Sequence, residues 1–109
     1  METHEQEPFT RVSVEEAKRL IDEGKVQLID VREPNEYARD HIPNARLLPL
    51  GTLMAQPEAL RGDDILFICE MGVRSAVACE FAASLGLERL YNLEGGMAAW
   101  RSRGYPVEK

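Results

Sequence analysis

Ile65-Leu66-Phe67-Ile68-Cys69-Glu70-Met71-Gly72-Val73-Arg74-Ser75 is the stretch whose reading decides the fold. Its opening run of four apolar residues predicts a strand buried on both faces, as in a parallel sheet. A short polar loop carrying Gly72 follows. Ala76-Val77-Ala78-Cys79-Glu80-Phe81-Ala82-Ala83-Ser84-Leu85 then predicts a helix, stopped by Gly86. Strand, tight loop and helix N-terminus together aim backbone N–H groups at one point, and the helix dipole adds positive potential there. A cysteine at that point is expected to lose its proton more easily than a free thiol.

Working outward in the chain, strands and helices alternate. Phe9–Val12 predicts a short strand. Ser13 and Glu16 fit a capping box that starts a helix ending near Glu23, with Gly24 after it. Val26-Gln27-Leu28-Ile29-Asp30-Val31 predicts a central strand, and Pro34 opens a short helix through Arg39. Asp40–Ala45 forms a turn. Arg46–Leu50 predicts a strand, and Pro49 sends it to a sheet edge. Helical turns are expected at Thr52–Met54 and Pro57–Leu60. Glu88–Leu93 predicts a last strand, and Met97–Arg103 a last helix closed by Gly104. The alternation implies an α/β fold: a mainly parallel five-stranded sheet with helices on both faces. In such sheets ligands sit beyond the carboxyl ends of the strands. Cys69, Asp30-Val31-Arg32 and Glu94-Gly95-Gly96 all lie at such ends, so three distant loops are expected to meet over one site.

Length and charge bound the rest. At 109 residues one domain is expected, over 9–109, with 1–8 as a flexible tail. A net charge of −6 argues against nucleic acid or an anionic membrane as partner. No apolar run approaches a membrane span, and the acidic start Met1-Glu2-Thr3-His4 lacks the apolar segment of a signal peptide. The expectation is a cytoplasmic protein. Cys69 and Cys79 would stand roughly 15 Å apart along one loop and helix, too far for a disulfide. With His4 and His41 they show no metal-ligand spacing, so no metal or other cofactor is expected. Cys79, inside an apolar helix, reads as core. His41 reads as a structural hydrogen-bonding residue, and His4 is assigned nothing.

The chain resembles a single-domain rhodanese, a thiosulfate sulfurtransferase-like protein. Three ordered segments carry the resemblance. Leu28–Tyr37 with His41–Ala45 is similar to the family's N-terminal signature. Cys69–Ser75 is similar to its active-site loop, and Leu93–Trp100, with Gly104–Val107, to its C-terminal signature and ending. Asp40 and Asn44 stand where the family more often has glycine; both residue types tolerate left-handed backbone.

The resemblance implies a rhodanese-like three-layer fold and a two-step sulfur transfer. Cys69 thiolate takes the outer sulfur of thiosulfate or of a persulfide donor and becomes a persulfide. A small thiol, a protein thiol or cyanide then removes that sulfur. The donor is a small molecule or a persulfide-bearing protein. Backbone N–H groups of Glu70, Met71, Gly72, Val73, Arg74 and Ser75 would cradle the charge. Arg74 would add positive charge or pin the loop. Asp30 and Arg32 are either a strand-end ion pair or a brace beneath the Cys69 loop. Met71 is expected to point outward.

Glu70, an acid beside the nucleophile, is expected at the solvated rim. There a carboxylate about 6 Å from a negative charge costs about 0.7 kcal/mol in water, and ~3 at an effective dielectric of 20. Thiosulfate would then be a poor donor. Two other functions remain open. One is a phosphatase or arsenate reductase related to dual-specificity phosphatases, whose loop has five residues between Cys and Arg where this chain has four, Glu70-Met71-Gly72-Val73. The other is a non-catalytic module, either a sulfur carrier or a regulatory domain.

Overall fold

The computed structural model describes residues 7–109, which leaves His4 and most of the expected tail outside the described residues. Its strands are β1 (Thr10–Val12), β2 (Gln27–Asp30), β3 (Arg46–Leu47), β4 (Ile65–Ile68) and β5 (Leu90–Leu93). Its α-helices are α1 (Val14–Asp22), α2 (Pro34–Arg39), α3 (Leu50–Ala55), α4 (Val73–Ser84) and α5 (Gly96–Ser102), with a 3-10 turn at Pro57–Ala59. The five strands form one sheet in the order β1-β5-β4-β2-β3. Every pairing is parallel, as the alternation of strands and helices predicted.

The sheet is covered on both faces. Along β4, Ile65 and Phe67 face one layer while Leu66 and Ile68 face the other. The first layer holds Leu53 of α3 with Ala78, Cys79 and Ala82 of α4. The second holds Val14 and Ala17 of α1 with Met97 and Trp100 of α5. β4 therefore needs apolar side chains at every position, and burying one the size of Phe67 stabilises by roughly 2 kcal/mol. Because all strands run the same way, the carboxyl ends of β2, β4 and β5 open on one side of the sheet.

Several boundaries differ from expectation. β3 is an edge strand, but only Arg46 and Leu47 belong to it. Pro49 instead precedes α3, whose first turn closes on its carbonyl through Leu53 N–H. α4 begins at Val73 rather than Ala76, so Val73, Arg74 and Ser75 are helical and not loop. Gly72, with φ 95°, makes that early start possible. At α1, Ser13 Oγ accepts from Glu16 N–H at 3.1 Å, but the Glu16 carboxylate pairs with Arg19, so only half the capping box forms. Asn44 takes the left-handed backbone expected of it, with φ 74°, whereas Asp40 is extended. Glu7, within the expected tail, pairs with Arg11 at 2.7 Å. No helix among the described residues is long and apolar enough to cross a membrane.

Candidate active site

Cys69 follows the last residue of β4 and is buried, with 1% of its surface exposed. Two backbone donors converge on its Sγ: Gly72 N–H at 3.0 Å and Ser75 N–H at 3.3 Å. The Ser75 hydroxyl lies 3.2 Å away. The loop turns its N–H groups inward because its carbonyls are engaged outside. Cys69 O accepts from Met97 N–H at 2.9 Å, and Glu70 O from Ala98 N–H at 3.1 Å. Those donors are free N–H groups at the start of α5, so one helix terminus holds the loop while another, that of α4, faces the sulfur.

This contact explains Gly96. A Cβ on Gly96 would stand 2.5 Å from Cys69 O and from the Glu70 carbonyl, and φ there is +59°. Gly96→Ala is expected to lower stability by about 3 kcal/mol and to lift the loop off α5. Denaturant unfolding checks this; a change within ~0.5 kcal/mol would show that the loop can move aside freely.

Charged side chains surround the loop. Asp30 and Arg32 are both fully buried and joined at 2.8 Å. Arg32 also donates to Asp40 O at 2.7 Å and reaches Glu70 Oε1 at 3.5 Å. The two readings of this pair therefore merge: it is a strand-end ion pair whose outer nitrogen touches the Cys69 loop.

Glu70 stands at the rim with 30% of its side chain exposed, but it has partners there. Arg101 of α5 grips it at 2.7 and 3.1 Å, and also holds Asp40. Hydrogen bonding from Arg101 lowers the pKa values of Glu70 and Asp40 below the usual carboxylate range. The Glu70 charge is thus partly offset by Arg101, which Glu70 shares with Asp40.

Arg74 pins the start of α4 to α2, donating to both carboxylate oxygens of Glu36 at 2.8 and 2.9 Å. This lowers the Glu36 pKa from 4.5 to about 2. Because the folded value is the depressed one, the pair's stabilisation is complete above pH 4.5 and fades as pH falls toward 2. Glu36→Gln is expected to lower the melting temperature at pH 7, with the gap from wild type closing toward pH 2. A gap independent of pH would mean that the charge contributes nothing.

Met71 and Val73 face outward, 63% and 70% exposed, and give the loop an apolar rim. A cavity of about 640 Å³ opens beside Glu70, lined also by Glu36, Arg39, Asp40, Arg101 and Lys109. The family model described as Rhodanese-like domain matches residues 13–103.

The chain belongs to the rhodanese-like domain family. A sulfurtransferase of Allochromatium vinosum is 36% identical over 92 residues, covering 84% of this chain and 86% of that one. The thiosulfate sulfurtransferase GlpE of Vibrio cholerae is 27% identical, covering 92% of this chain and 95% of that one. Across five curated relatives, the share of the relative that this chain spans ranges from 52% to 95%. A rhodanese-related protein of Thermoplasma volcanium superposes with a TM-score of 0.82 at 33% identity, over 91% of this chain and 97% of that one.

Among the described residues of this rhodanese-like domain, Cys79 and His41 both contact backbone carbonyls. Cys79 is buried and donates to Tyr91 O at 3.3 Å, and burial pushes its thiol pKa up. His41 Nδ1 lies 2.8 Å from Tyr37 O, and the His41 ring stacks on that of Tyr37 at 3.8 Å.

Sequence reasoning missed Glu36, Arg101 and Asn92. Asn92 left a readable signal: it is a polar residue in an apolar strand, and it is fully buried. Its Nδ2 donates to Gly72 O at 3.1 Å, and its Oδ1 accepts from the Ser75 hydroxyl.

Proposed function

We propose that this domain is a sulfurtransferase that carries sulfane sulfur on Cys69. The observation that carries the reading is the cup around Sγ: two backbone N–H donors and one hydroxyl at 3.0–3.3 Å. Such a cup suits a sulfur that alternates between thiolate and persulfide. In the first half, Sγ thiolate attacks the outer sulfur of thiosulfate. An S–S bond forms to Sγ, the old S–S bond breaks, and sulfite leaves with its electron pair. In the second half, a thiolate or cyanide attacks the outer sulfur of the persulfide. The Sγ–S bond breaks, and its electron pair returns to Cys69 as thiolate. No oxidant is consumed, and charge balances in both halves.

Arg74 argues against the phosphatase alternative. Phosphoryl chemistry needs that guanidinium on the anion, whereas here both its terminal nitrogens are engaged by Glu36. With the Glu70 charge weakened by Arg101, thiosulfate becomes an acceptable donor beside neutral or protein-borne persulfides. The exposed Met71 and Val73 suit a donor or acceptor with an apolar surface near its reacting sulfur.

The test is direct. Protein treated with thiosulfate and desalted is expected to gain the mass of one sulfur atom. The addition should map to the peptide holding Cys69 and depart with cyanide as thiocyanate. A carrier module would show the adduct but turn over slowly. Hydrolysis of p-nitrophenyl phosphate with no sulfur adduct would instead favour the phosphatase.

A further inference from the structure

Asn92 sits on β5, yet it touches both the Cys69 loop, at Gly72, and the start of α4, at Ser75. Nδ2 donates to Gly72 O at 3.1 Å, and Oδ1 accepts from Ser75 Oγ. The amide orientation follows from its partners: a carbonyl can only accept, so the NH2 end must face Gly72 O. The oxygen end must then face Ser75, whose hydroxyl has one proton and donates it to Asn92. Toward Cys69 Sγ, 3.2 Å away, Ser75 presents a lone pair. Cys69, Ser75 and Asn92 are all buried, so no solvent is there to replace a lost partner.

A thiol fits this arrangement, because S–H can donate to Ser75 Oγ. A thiolate does not: it has no proton to give, and a lone pair would face its charge. The hydroxyl must then turn from Asn92 to Sγ.

We propose that Asn92 is the positioning residue of this site, holding the Gly72 carbonyl with its NH2 end and the Ser75 proton with its oxygen. Ser75 is thereby a two-position switch. Its proton rests on Asn92 while Sγ is neutral, as thiol or as the inner sulfur of a persulfide. It turns to Sγ whenever that sulfur becomes a thiolate. The proposal rests on the sulfur-transfer reading in one respect: the switch matters most in the second half, where the electron pair of the breaking S–S bond arrives on Sγ. In the first half charge leaves Sγ, so a donor there does not aid the attack itself.

Ser75→Ala is therefore expected to slow sulfur release to cyanide more than sulfur uptake from thiosulfate at high pH, by roughly tenfold or more in the ratio. Single-turnover thiocyanate release and mass-detected uptake give the two rates.

A second measurement needs no sulfur donor: iodoacetamide alkylation of Cys69, followed by intact mass against pH. Ser75→Ala is expected to move this profile to higher pH. Asn92→Leu frees the hydroxyl to donate to Sγ in every state, but also releases Gly72. The double-mutant comparison separates the two effects. Asn92→Leu is expected to slow alkylation at least about threefold less in the wild-type background than in the Ser75→Ala background. Should Asn92→Leu not fold, Asn92→Ala carries the same comparison. Equal effects of the Asn92 substitution in both backgrounds would overturn the proposal, as would Ser75→Ala slowing uptake and release alike. If wild-type protein takes up no sulfur, the sulfurtransferase reading fails, and the alkylation comparison still decides the switch.

Discussion

Cys69→Ser is expected to abolish sulfur uptake from thiosulfate, with turnover falling on the order of a thousandfold or more. Serine keeps the size and the donors around the position, so the loop should stay folded and the loss should be chemical. An alkoxide is not available at neutral pH, and oxygen is a poor nucleophile toward sulfane sulfur. Cys79→Ala is expected to retain the adduct. Its thiol lies within α4, away from the Cys69 loop, engaged by Tyr91 O and kept protonated by burial. Intact and peptide mass after thiosulfate treatment distinguish the two sites. A sulfur adduct on Cys69→Ser protein would sink the mechanism, because no other described cysteine stands in a cup of donors.

The part of this site made by consecutive residues could be read from sequence. Ile65–Ile68 allowed only a buried strand, and Cys69 followed it directly. Gly72 and the α4 start gave the turn and the inward N–H groups, although the helix begins three residues earlier than its apolar pattern suggested. The early start arises because Gly72 takes positive φ and lets Val73–Ser75 enter the helix at once. What sequence concealed is pairing across the fold. Glu70 and Arg101 lie 31 residues apart, and Glu36 and Arg74 lie 38 apart, so no local pattern links them. Reading Glu70 alone gave a repulsive charge; Arg101 beside it weakens that charge. Asn92 was different. A polar residue inside an apolar strand demands buried partners, and that demand is legible in the sequence itself.

Arg32→Met is expected to be the most destabilising single change in the charge network. Arg32 and Asp30 are both fully buried, and the guanidinium makes bonds of 2.8–3.2 Å to the carboxylate. Removing the cation strands a carboxylate in the core, a situation that costs about 3–5 kcal/mol. For a domain of this size that lowers the melting temperature on the order of 15 °C. Two further contacts vanish with it, the bond to Asp40 O and the approach to Glu70. Arg32→Lys should recover little, since one ammonium cannot serve the Asp30 carboxylate and Asp40 O in the same fork geometry. Asp30→Asn combined with Arg32→Met removes both charges, and is expected to regain part of the loss. The pair sits at the end of β2, one strand from Cys69, so its effect on the site acts through Glu70 and the loop. Thermal unfolding of the three variants decides the matter. If Arg32→Met alone melts within a few degrees of wild type, the buried carboxylate has found water or a proton, and the ion pair is not what braces the loop.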